Sequence, residues 1–175
     1  MISRRAFATS TAFAAFAPAA AQSQMRPAAD LGVTSDNKAI HQEVTFKASA
    51  ARLYQVLTDP ALFDKVVLLS GATQAMRLVA KPCRIDQLPG GAFSLFGGYI
   101  NGQQIELTPG IRLVQVWRSE GWAMHVYSIV RFQLSDQQGG ARLVFDHTGF
   151  PNDEAASLAA GWHQHYWQPI AKVAG

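Results

Sequence analysis

The sequence predicts an α+β domain, a curved antiparallel sheet wrapped around a long C-terminal helix, with two short helices after the first strand. Three observations carry this. An alternating stretch gives way to two short segments of helical period. From about residue 82, glycine pairs and turn dipeptides arrive at the strand-and-turn interval. The last segment then returns to helical period. The length of 175 residues suits one domain with a leader. With 49% hydrophobic and only 15% charged residues, the chain can bury enough apolar surface to offset the entropy of ordering.

Residues 1–21 are alanine-rich and free of acidic residues, with Arg4-Arg5 ahead of a short apolar stretch from Ala6 to Ala17. That is a signal-peptide pattern, with cleavage expected after Ala21. Ser3-Arg4-Arg5-Ala6-Phe7 resembles the twin-arginine export signal, which implies a periplasmic or secreted protein. The apolar stretch is too short and too weakly apolar to span a bilayer. Residues 22–39 are polar and contain Pro27, Gly32, Ser35, Asp36 and Asn37, which reads as a flexible linker. The domain proper is expected over residues 40–173.

Ile40 to Lys47 alternates as a half-buried strand, with Ile40, Val44 and Phe46 on one side. Ser49 caps a first helix carrying Leu53, Val56 and Leu57. Asp59 caps a second, Pro60 takes its first position, and Leu62, Phe63, Val66 and Val67 form its apolar face. About six strands follow, among them Ala92–Phe96, Gln103–Leu107, Ile111–Arg118, Val126–Leu134 and Ala141–Thr148. Asn101-Gly102 is expected to be a hairpin turn, because both residues tolerate positive φ. Asn152 is expected to cap the last helix, with Asp153 and Glu154 at the positive end of its dipole. Leu158, Trp162, Tyr166 and Ile170 then share one broad face, with His163 at its edge. Gly161 and Pro169 are unusual in a helix, and Pro169 is expected to bend it.

Specific residues carry a family resemblance. Gly90-Gly91-Ala92-Phe93-Ser94-Leu95-Phe96-Gly97-Gly98, Gly102, Glu106-Leu107, Pro109, Arg112-Leu113-Val114 and Trp117-Arg118 resemble the C-terminal domain of the activator of the heat-shock protein 90 ATPase. Thr148-Gly149-Phe150-Pro151, Gly161-Trp162 and Tyr166 continue it, and Val44–Phe46 through Leu57-Thr58-Asp59-Pro60 fit as well. The resemblance covers about residues 40–173. It implies the helix-grip fold of the START-like (Bet v 1-like, SRPBCC) superfamily, in agreement with the element order. One departure matters. The eukaryotic activator carries an additional N-terminal domain and acts on a cytosolic chaperone, whereas the segment before this domain reads as an export signal.

Charge and cysteine content exclude several classes. The formal charge is +3, from 15 basic and 12 acidic residues, and removing Arg4 and Arg5 with the leader leaves about +1. That is no nucleic-acid footprint. The single cysteine, Cys83, allows neither an intrachain disulfide nor a cysteine-only metal cage.

His147 and His163 are the residues most able to move a proton or hold a metal. A zinc site needs three or four ligands and no third is evident, so no metal and no cofactor are expected. Asp146 adjoins His147 but faces the other side of its strand. Ser128 lacks the glycine-flanked elbow that exposes a nucleophile. The glycine pairs lie in turns, not in phosphate cradles.

The aromatic content is more informative. An apolar pocket between sheet and helix would be lined by Phe63, Phe93, Leu95, Trp117, Phe145 and Trp167, with Gln115, Ser128, His147 and His163 as its polar groups. The leading expectation is therefore a non-enzymatic, exported protein that binds a small hydrophobic or amphipathic molecule. The alternatives are a protein-interaction module of co-chaperone type, as the resemblance implies, and a hydrolase or cyclase using the pocket.

Overall fold

In the computed structural model the described residues are 31–34, 36, 38–78 and 81–175. The export signal and the expected cleavage after Ala21 lie outside them.

A seven-stranded, wholly antiparallel sheet forms the frame, in the order β1-β7-β6-β5-β4-β3-β2. Strands β2 (Arg84–Ile85), β3 (Ala92–Leu95), β4 (Ile100–Thr108), β5 (Arg112–Ser119), β6 (Ser128–Gln137) and β7 (Gly140–Thr148) run as a meander. Strand β1 (Ala39–Phe46) closes the far edge against β7, with Ile40 opposite His147 and Phe46 opposite Ala141. Between β1 and β2 lie α1 (Ala50–Thr58), α2 (Pro60–Ser70) and a one-turn helix α3 (Ala72–Ala75) beyond the two expected.

The expected caps form. The Ser49 hydroxyl accepts from the Arg52 amide at 3.2 Å, and the Asp59 carboxylate accepts from Leu62 at 2.9 Å. Each satisfies an amide that the first helical turn leaves without a partner.

Side chains alternate along each strand, and the inner set is apolar and aromatic. Leu113 and Trp117 on β5, Val130, Phe132 and Leu134 on β6, and Leu143 and Phe145 on β7 are all buried. Against this face lies the C-terminal helical stretch: α4 (Ala155–Gly161), a π-helical segment (Trp162–Trp167) and α5 (Gln168–Ala174). This is the helix-grip arrangement.

Two expectations about turns and caps are corrected. Asn101-Gly102 is not a turn but lies within β4. The chain reverses instead through the 3-10 turn Phe96–Gly98, where Gly97 and Gly98 have φ of 71° and 102°. Gly102 is needed for closeness rather than conformational freedom, since a Cβ there would overlap the Val116 carbonyl and the Phe93 ring. Asn152 does not cap the last helix but opens the 3-10 turn Asn152–Glu154 ahead of it.

The bend expected at Pro169 takes the form of the π segment, where the Gln168 amide donates to the His163 carbonyl five residues back. The wider turn accommodates a proline ring that would otherwise press on the preceding turn. It also changes what faces the sheet. At about 100° per residue an α-helix would carry Trp167 roughly 140° away from Trp162. Here the two rings stack, with centroids 5.5 Å apart and 21° between planes.

Residues 31–34, within the stretch read as a linker, fold back on the domain. Leu31 is buried and Val33 bridges to Ile40. Gln42 ties this turn to the terminal helix. Its amide donates to the carbonyls of Leu31 (2.6 Å) and Ala159 (3.2 Å), and its oxygen accepts from the Trp167 indole at 2.6 Å.

Candidate functional site

His147 projects from β7 to the inner face, as the alternation implied, and is fully buried. Both ring nitrogens are engaged. The Trp162 indole N–H donates to Nδ1 at 3.0 Å, which leaves the ring proton on Nε2. Nε2–H then donates to the Ser128 hydroxyl at 2.7 Å, and that hydroxyl donates to the Trp117 carbonyl at 3.1 Å. Every proton in this chain has one place to go. Burial among aromatic rings pushes the imidazole pKa down to about 3, so His147 is neutral at ordinary pH. The geometry is also wrong for nucleophilic catalysis, because Ser128 gives its proton to a carbonyl and accepts one from the histidine.

The other expected site residues are spread through the core. Phe145 packs on Trp162 and Trp167 with centroids 4.3 and 5.1 Å away. Phe63 sets its ring edge-on to Phe96 and Tyr166. Phe93 and Leu95 are buried on β3. The Gln115 amide donates to the Gln104 oxygen at 3.1 Å, which makes a buried pair. Trp167 is bound to Gln42, as described. His163 is only partly buried and accepts from the Gln168 amide at 3.4 Å. Most of the space between sheet and helix is therefore filled by interlocking rings.

An open cavity does remain, at one end of this layer. Its volume is about 170 Å³. Its walls come from α3 (Ala72, with Met76 just beyond), the 3-10 turn (Phe96), the ends of β4 and β5 (Tyr99, Ile100, Trp117, Ser119), α4 and its approach (Glu154, Ser157, Leu158, Gly161), and the π segment (Trp162, His165, Tyr166). Of the ten expected site residues, Trp117 alone lines it among the described residues.

Three lining residues hold a buried polar atom with no hydrogen-bond partner: Trp117 Nε1, His165 Nδ1 and the Tyr166 hydroxyl. The indole N–H of Trp117 lies near the Tyr166 hydroxyl without bonding geometry, and burial drives the phenol pKa well up. Burial also lowers the His165 pKa, so that ring is neutral at pH 7. Gly161 forms part of the wall, and a Cβ there would meet no atom within 4 Å. Its place in the helix and the adjoining Trp162 were visible in the sequence. His165, Tyr99 and Ser157 carried no signal, because their role depends on where the sheet curls away.

The remaining chemistry is unreactive. Cys83 is buried and receives no help from Asp64, and together burial and that carboxylate push its thiol pKa up to about 12. Asp146 faces outward, where it accepts from His41 Nδ1 at 2.7 Å and raises the His41 pKa. Among the described residues no group of three or more His, Cys, Asp and Glu side chains stands ready to hold a metal, and no helix is long and apolar enough to cross a membrane.

Residues 47–175 match the family described as Activator of Hsp90 ATPase homolog 1-like protein. The Activator of 90 kDa heat shock protein ATPase homolog of Dictyostelium discoideum is 36% identical over 84 residues, covering 47% of this chain and 22% of that protein. Homolog 2 of Mus musculus is 25% identical over 140 residues, covering 80% of this chain and 39% of that protein. The chain thus spans about two fifths or less of the length of the curated relatives it matches. Among solved structures, an HSP90 activator from Plasmodium falciparum superposes with a TM-score of 0.65 at 22% identity, covering 78% of this chain and 95% of that one. A protein from Chromobacterium violaceum gives 0.61 at 21% identity, covering 78% and 96%. At such identities the likeness is one of fold.

Proposed function

The chain belongs to the Activator of Hsp90 ATPase homolog 1-like family, and from that premise we propose that it works by binding and not by catalysis. Its site is the cavity between the sheet and the C-terminal helix, and the ligand is a small apolar or amphipathic molecule. The observation that carries this reading is the pairing of open volume with unpartnered polar atoms. A core built only for stability leaves few buried polar groups without partners, because each costs about 1–3 kcal/mol. Here three of them belong to residues around one opening. Gly161 supports the same reading. A glycine inside a helix costs about 1 kcal/mol relative to alanine, and this one leaves the wall bare.

Against a hydrolase or cyclase stands the wiring of His147 and Ser128, which directs no base at a nucleophile. Export through a twin-arginine signal belongs to this proposal as well and rests on residues 1–21.

Native mass spectrometry of protein purified from its own exported fraction tests both parts. A bound mass lost on denaturation, and absent from Gly161→Leu, is the result expected. A denatured mass lacking residues 1–21 is expected too. Equal native and denatured masses, with no small molecule taken up from a screen, would overturn the cavity reading.

The relatives' names favour a second reading, a protein-interaction module of co-chaperone type. It predicts that the purified domain binds an Hsp90-class chaperone and raises its ATPase rate, with Gly161→Leu as active as the wild type. No change in that rate would overturn it.

A further inference from the structure

The cavity's walls specify a class of ligand, an inference that rests on the cavity reading above. Five of its lining residues are aromatic: Phe96, Tyr99, Trp117, Trp162 and Tyr166. The buried members form one continuous cluster. Ring centroids are 5.4 Å apart for Phe96 and Tyr166, 4.1 Å for Tyr166 and Trp162, and 5.7 Å for Trp162 and Trp117. One carboxylate, that of Glu154, joins the lining, and neither lysine nor arginine does among the described residues. Apart from the two tyrosines, the ionisable groups of the wall are therefore the carboxylate of Glu154 and the imidazole of His165.

We propose that this site takes a small organic cation, an alkylammonium group held against the rings with its charge balanced by Glu154.

The reasons are electrostatic and steric. Aromatic rings attract a cation lying within about 6 Å of their faces, and the attraction grows when water is excluded. An anion entering the same space would meet π-electron density and a carboxylate, with no cation to offset either. An ordinary metal ion lacks the ligand set, whereas an alkylammonium ion spreads its charge over methyl groups that also suit apolar walls. Size agrees: a cavity of about 150 Å³ holds benzene, and the volume here is about 170 Å³.

Three probes of nearly equal shape test the charge: choline, its neutral carbon isostere 3,3-dimethylbutan-1-ol, and the anion 3,3-dimethylbutanoate. Binding to the full-length protein is measured by titration calorimetry and by the fluorescence of the wall tryptophans. Choline is expected to bind at least about fivefold more tightly than the alcohol, and the anion to bind least. Glu154→Gln should erase most of that preference while leaving affinity for the alcohol unchanged. Gly161→Leu should abolish binding of all three with the fold intact by circular dichroism. Equal or tighter binding of the alcohol would overturn the cationic assignment and leave the cavity reading standing. Failure of all three probes would overturn the assignment too. If mass spectrometry then also finds no bound molecule, the cavity reading falls with it.

Discussion

Acid should destabilise this domain, and His147 should contribute a large share of the loss. In the folded protein it is neutral, with a pKa pushed down to about 3, whereas its ordinary value is 6.5. The folded pKa lies below the unfolded one, so below pH 6.5 the unfolded chain binds a proton that the folded chain refuses. Stability is therefore complete at neutral pH and is lost as pH falls from 6.5 toward 3. At 1.36 kcal/mol per pH unit, the loss from this residue is negligible at pH 7.5, about 2 kcal/mol at pH 5 and roughly 4–5 kcal/mol at the acid limit. His165, whose pKa is also lowered by burial, adds in the same direction, and His41, raised by Asp146, acts in the opposite one.

Comparison with His147→Gln isolates this contribution. Glutamine can accept from the Trp162 indole and donate to Ser128, and it does not titrate. Urea denaturation at pH 7.5 and pH 5 gives the stability of each protein. The wild type should lose about 2 kcal/mol more than the variant between these two conditions, seen also as an extra fall in Tm of roughly 5–10 °C. Parallel pH curves for the two proteins would refute the reasoning. So would an imidazole resonance from His147 that titrates in the folded protein with a midpoint above pH 5.

Other outcomes follow from the packing. Trp162→Phe removes the donor to His147 Nδ1 and trims a ring in contact with Phe145, and should cost about 2–4 kcal/mol in urea denaturation. A loss under 1 kcal/mol would mean that the indole bond contributes little. Gly102→Ala places a methyl against the Val116 carbonyl and the Phe93 ring, and a loss of about 1–3 kcal/mol is expected. An unchanged Tm would show that β4 can shift away from β5. Cys83, buried with a thiol pKa near 12, should resist a thiol reagent at pH 8 in the native protein and react fully in urea. Equal rates in the two states would contradict its burial.

The frame of the fold was legible because it rests on local signals. Ser49, Asp59 and Pro60 mark helix starts through hydrogen bonds made within one turn. The period-2 pattern placed Phe145 and His147 on one face and Asp146 on the other, as found. Asn101-Gly102 misled because a strong turn dipeptide competed with a stronger one close by. Gly97-Gly98 makes the reversal, and Gly102 is then free to serve as a gap over Phe93. The π segment had only Pro169 as its signal. A proline announces that the ladder must change, but whether the chain kinks or widens depends on what the turn packs against.

The candidate site was less legible for a related reason. Alternation identifies which side chains point inward, but not where the inward space is left unfilled. His147 and Ser128 satisfied the inward rule and proved to be consumed by the core, each polar atom matched by Trp162 or Trp117. The cavity lies beyond them, where three elements distant in sequence converge: the turn after β3, the end of β5, and the junction of α4 with the π segment. That junction settles which aromatic groups fill the middle of the layer and which border the cavity. The wide turn brings Trp167 round to stack on Trp162, and together with Phe132 and Phe145 they close the middle of the layer. With the middle closed, Trp117, Tyr166 and His165 are left at its open end with polar atoms that no protein group satisfies. The helix defect and the cavity are thus two parts of one arrangement.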